Sequence, residues 1–77
     1  MTKNQELDNA TSCLSRSQGD EPIFVLCARD EIAPFTVRDW VERAEMRGVN
    51  AEKIADAIRL AEQMEQWQRD HGKKLPD

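Results

Sequence analysis

The chain is short of nearly everything that chemistry at a site requires. Its longest apolar run is six residues, Ile23 to Ala28, against the roughly 18 that a membrane-spanning helix needs. The opening Met1-Thr2-Lys3-Asn4-Gln5-Glu6 has no apolar stretch behind its lysine, so neither secretion nor membrane anchoring is indicated. The three glycines, Gly19, Gly48 and Gly72, are dispersed, which excludes a glycine loop that cradles phosphate. The two cysteines, Cys13 and Cys27, form no C-x-x-C pair and have no histidine close by, so a zinc site is not expected. The one histidine, His71, sits beside Lys73 and Lys74 with no Ser or Cys nucleophile tied to it. Its plain role is to complement the negative end of a helix dipole. Asp30-Glu31 and Asp39/Glu42 lack the apolar surroundings that acid–base work draws on, and capping or a solvated face accounts for them. No catalytic, cofactor-binding or metal-binding residue is assigned, and no cofactor is expected.

Without a signal for export, a cytoplasmic address follows, in which both thiols stay reduced. A Cys13–Cys27 disulfide is the competing reading, and only an oxidising compartment would favour it. Cys27, inside the apolar run, reads as an inert buried thiol, and Cys13 as exposed but without an activating base.

What the chain does have is charge of both signs: 11 basic and 15 acidic side chains, a net −4. They are interspersed, with Arg38, Arg43 and Arg47 set among Asp39, Glu42 and Glu45. A solvated helix surface laced with opposite charges needs that pattern, whereas a duplex binder shows a basic stripe. Seventy-seven residues make one domain. Residues 1–20, rich in Ser, Asn, Gln and charge with no sustained period, read as a disordered tail; a weak helical turn from Glu6 to Leu14 is the competitor. The 50-odd residues left bury only about 60% of their unfolded surface, and such domains call for a staple or a second subunit.

Residues 21–77 carry the core. The run Ile23-Phe24-Val25-Leu26-Cys27-Ala28, opened by Pro22 and closed by Arg29-Asp30, is rich in β-branched and aromatic side chains and predicts a strand apolar on both faces. Nothing else in the chain reads as a strand. Its unpaired backbone therefore points to a second copy running antiparallel across a two-fold axis.

Asp30 suits a cap and Pro34 the first turn of a helix reaching about Arg47. Val37, Trp40, Val41 and Ala44 share one face of it, and Gly48 stands where a left-handed terminator is expected. Phe35 and Met46 fall on the opposite face, where two readings stand: singly exposed apolar residues, or a surface covered by a partner. Asn50 caps a second helix from Ala51 to about His71, with Val49 placed to pack on Ile54 and Gly72 as the stop. The apolar residues of that helix, Leu60, Met64 and Trp67 among them, spread over half its circumference and ask for two neighbours. One is the first helix in an antiparallel hairpin; the other is again the second copy. Trp40 and Trp67 read as core. The expected fold is α+β and mainly helical: one short strand, paired with a second subunit, followed by an antiparallel helical hairpin. The expected dimer interface is Ile23, Phe24, Val25, Leu26, Cys27, Leu60, Met64 and Trp67.

Glu21-Pro22-Ile23-Phe24-Val25-Leu26-Cys27-Ala28-Arg29-Asp30, with Ala33-Pro34, Trp40, Lys53-Ile54-Ala55 and Met64-Glu65-Gln66-Trp67 after it, resembles small uncharacterised proteins encoded by tailed bacteriophages and prophages. The resemblance covers residues 21–77, is one of pattern, and implies an accessory product in a bacterial host cell. With no chemistry at hand, the expected function is binding: a non-enzymatic homodimer that occupies the surface of a host or phage protein, with Phe35 and Met46 as the candidate partner surface. The alternative is a small dimeric regulator touching DNA phosphates through Arg38, Arg43, Arg47 or Lys73-Lys74.

Overall fold

The computed structural model describes residues 18–76, so the N-terminal tail reading lies almost entirely outside the described residues. Two helices form an antiparallel hairpin: α1, Ala33–Met46, and α2, Ala51–His71. Local chemistry explains each end. Asp30 Oδ1 accepts from the Ile32 amide at 2.8 Å and the Asp30 carbonyl accepts from the Ala33 amide at 3.0 Å, a turn that delivers the chain into α1 with Pro34 in its first turn.

The exit from α1 is a Schellman turn. Gly48 has φ 75°, the Val49 amide donates to the Ala44 carbonyl at 3.0 Å and the Gly48 amide to the Glu45 carbonyl at 3.3 Å. Asn50 then caps α2, its side chain accepting from the Glu52 amide at 2.7 Å, with Glu52 at the positive end of the dipole. At the far end Gly72, φ 91°, stops α2 while its amide still donates to the Gln68 carbonyl at 2.9 Å.

The helices meet through small side chains. Val41 and Ala44 of α1 and Ala61 and Met64 of α2 are buried, with Ala33 and Pro34 closing one end. Alanines let the two backbones approach closely, but they bring little apolar area. Burial of a Val or Met contributes about 1.5–3 kcal/mol, and no large side chain in this core is fully buried.

The strand expected over residues 23–28 is absent: the segment has no regular secondary structure, and no strand is present among the described residues. The one extended contact among the described residues is a single parallel bridge, Asp30 to Lys74, in which the Glu31 amide donates to the Lys74 carbonyl at 2.8 Å and the Lys74 amide to the Arg29 carbonyl at 3.0 Å. It cannot grow. Two residues before Lys74 the chain is at Gly72, the end of α2, and three residues after Asp30 it enters α1. Residues 23–27 therefore have no edge among the described residues to pair with, whatever their β-propensity.

Gln68 reinforces the bridge. Its Nε2 donates to the carbonyls of Ala28 and Asp30, each at 2.9 Å, and Lys73 Nζ lies 3.6 Å from Glu31 Oε1. Residues 28–31 are thus pinned across the end of α2. Replacing Gln68 with Ala removes two partly buried hydrogen bonds, each of net value about 0.5–1.5 kcal/mol. Urea unfolding of Gln68→Ala is expected to show a loss of about 1–3 kcal/mol, with faster hydrogen exchange at the Glu31 and Lys74 amides; unchanged exchange there would mean that Gln68 does not hold the segment.

Candidate functional site

The surface that this fold leaves open is apolar. Phe24 is 83% exposed and Val25 72%, Ile23 is also exposed and Leu26 half-buried. The two tryptophans, expected in the core, are half out of it: Trp40 is 47% and Trp67 46% exposed. Periodicity placed them on the core-facing stripes, but each lies at the stripe's edge, and a single neighbouring helix of small side chains covers only the middle. Cys27 is likewise exposed and free, not buried, because the strand that would have enclosed it does not form.

Charge and apolarity take opposite flanks of the hairpin. Arg38 of α1 clamps Glu65 of α2 with two hydrogen bonds, Nη2 to Oε1 at 2.6 Å and Nε to Oε2 at 3.1 Å. Two helical residues turn through about 200°, so Trp40 and Trp67, each two positions on from a member of that pair, lie on the other flank. Leu60, half-buried, is seven residues before Trp67 and shares its face. One flank is sealed by an ion pair; the other presents two indoles and a leucine.

Trp67 is held in place by its neighbour one turn on. The His71 ring stacks on it, centroids 3.8 Å apart and planes 16° from parallel, and His71 Nδ1 lies 3.2 Å from the Trp67 carbonyl oxygen. That contact was readable from the i, i+4 spacing alone. The Arg38–Glu65 clamp was not, since residues so distant in sequence meet only once the hairpin register is set.

Phe35 and Met46 stand 70% and 79% exposed on the back of α1. They are eleven residues apart, about 16 Å along the axis, with Asp39 and Glu42 between them. Of the arginines considered for phosphate contact, Arg38 is committed to Glu65 and Arg43 to Asp39 at 2.9 Å; Arg59 is paired with Asp56. Arg47 makes no ion pair among the described residues. No basic stripe forms.

Two shallow surface depressions of about 210 and 330 Å³ lie along α1, one between Arg38, Glu42 and Glu45, the other between Phe35, Glu65 and Lys73. Ligand pockets run to roughly 300–1,000 Å³, are enclosed, and are mostly apolar; these are open and rimmed by charge. Among the described residues no three His, Cys, Asp or Glu side chains gather as a metal-holding group, and no helix is long and apolar enough to cross a membrane. Comparison with family models, curated proteins and solved structures returns no match to this chain. The class the fold defines is a two-helix hairpin with one apolar flank.

The hydrogen bonds from Arg38, aided by its charge, hold the Glu65 carboxyl below the usual carboxylate range, and the same bonds raise Arg38. A carboxyl whose folded value is lowered stabilises the fold above its unfolded value, and that contribution is lost as pH falls through the folded one. Solvent screens this half-exposed pair, so the effect is small. Between neutral and acidic pH, native protein is expected to lose more unfolding free energy than Glu65→Gln; superimposable pH profiles of the two would show that the clamp contributes nothing.

Proposed function

We propose that this chain is a non-enzymatic phage or prophage accessory protein, a homodimer that works by occupying the surface of a host or phage protein. The observation that carries the dimer is the imbalance between core and surface. Among the described residues the buried core is Ala33, Val41, Ala44, Ala61 and Met64, three of them alanine, while Phe24, Val25, Trp40 and Trp67 stand about half or more in solvent. Exposed patches on that scale mark interaction surfaces. The phage or prophage origin is carried by the resemblance of residues 21–77.

Ile23, Phe24, Val25, Leu26 and Cys27 supply apolar side chains and a backbone edge that is open up to the Cys27 carbonyl, which accepts from the Asp30 amide. Two such edges pairing antiparallel satisfy both copies at once, and Leu60 and Trp67 add the neighbouring helix face, Met64 between them being already buried within the hairpin. Phe35 and Met46, on the back of α1, stay outside that interface in each copy. Two apolar anchors with acidic side chains between them suit a protein partner, and a dimer displays the pair twice.

Light scattering on a sizing column tests this reading. Native protein is expected at twice the chain mass and Val25→Lys at the chain mass or unfolded, since a charge at the pairing edge is not buried without cost. Phe35→Ser with Met46→Ser is expected to leave the dimer intact and to remove a captured host or phage protein from pull-downs. A folded native monomer would sink the dimer; a partner retained by the double variant would sink the assigned surface.

A further inference from the structure

Two seams run along α2, each spaced by alternating steps of three and four. The first, Ile54, Ile58, Ala61, Glu65 and Gln68, faces the rest of the chain: Ala61 is buried, Glu65 is bonded to Arg38 and Gln68 to the carbonyls of Ala28 and Asp30. The second is Ala57, Leu60, Met64, Trp67 and His71. Met64 is buried, Ala57 and Leu60 are half-buried, and Trp67 and His71 are exposed. Alternation of three and four is a repeat of about 3.5 residues, the spacing by which one helix packs against another along its whole length. The second seam runs through most of the 21 residues of α2, and apart from Met64 it is left partly or wholly exposed.

We propose that the occupant of this seam is α2 of a second copy, packed antiparallel about a two-fold axis that passes between Leu60 and Trp67, so that the dimer is a four-helix bundle. This rests on the reading of the chain as a homodimer and fixes how the copies meet. A hairpin with so small a core needs the cover in every folded molecule, and only another copy of the same chain is present wherever the chain is. At about 150–250 Å² per aromatic side chain, half-exposed Trp40 and Trp67 put apolar surface at the large end of the seam, a start toward the roughly 800 Å² per partner of a stable interface, which Leu60, His71 and the facing residues of the second copy extend.

Size complementarity sets the direction. The seam is small at one end, Ala57, and large at the other, where the Trp67 indole and His71 imidazole stack. Antiparallel packing lays Ala57 against the Trp67–His71 stack of the second copy, and Leu60 against its Trp67. Parallel packing would set stack on stack and alanine on alanine, which crowds one end and leaves a void at the other. Antiparallel packing also opposes the two helix dipoles. Trp40, on the same flank, closes the edge of the seam.

Spin labels give the test, in protein carrying Cys13→Ser and Cys27→Ser so that each label sits alone. Labels at Gln63→Cys, beside the two-fold, are expected within about 20 Å of each other, given helix axes 8–10 Å apart. Labels at Glu52→Cys are expected about 35 Å or more apart, at 1.5 Å per residue along two opposed helices. Light scattering on each labelled sample checks that it is a dimer. Glu52 labels as close as Gln63 labels would mean parallel helices and overturn the proposal. A dimer in which only labels at Val25→Cys come close would place the interface on residues 23–27 alone, overturning the seam but keeping the homodimer. A folded monomer would overturn the homodimer and the seam together.

Discussion

A single hairpin of two helices can bury one stripe from each, and here those stripes are built largely from alanine. This constraint governs the rest of the structure. Close approach of α1 and α2 makes a compact joint, but the joint encloses too little hydrocarbon to take in the two indoles, which are pushed to its rim. Small domains lose proportionately more of their apolar surface to solvent than large ones, because surface shrinks more slowly than volume. The chain answers with polar devices at the edges of the joint: the Arg38–Glu65 clamp on one flank, and across the end of α2 the bridge with Gln68 and Lys73. None of them covers the tryptophan flank.

The helices were legible in the sequence because their signals are local. Pro34, Gly48, Asn50 and Gly72 each act within four residues of themselves, and α2 begins and stops where Asn50 and Gly72 say it should. The second helical period, with its surplus of apolar positions, was legible too. Residues 23–28 misled for a physical reason: β-propensity records how well a side chain fits a sheet that already exists, and the described residues offer no second edge to make one. Trp40 and Trp67 misled because a wheel gives direction and not depth; how far a flanking residue sinks depends on the bulk of the facing helix.

What stayed hidden was long-range and polar. Gln68 reads as one more solvated glutamine, yet its amide spans two carbonyls of the incoming chain. No periodicity marks such a residue, since its partners are backbone atoms whose position only the folded hairpin defines. The candidate site divides the same way. Its apolar members could be named from composition, whereas their arrangement on one flank followed from the register that Arg38 and Glu65 display.

The bridge between Asp30 and Lys74 encloses both helices in one loop, and loop closure costs entropy that grows with the length enclosed. The hairpin, by contrast, is closed by the few residues from Arg47 to Asn50. Closing the bridge before the helices dock would therefore cost more loop entropy than closing it after them. The segment that carries Phe24 and Val25 leaves the hairpin at this bridge, so its apolar side chains are joined to the two helices at one end of the closed loop.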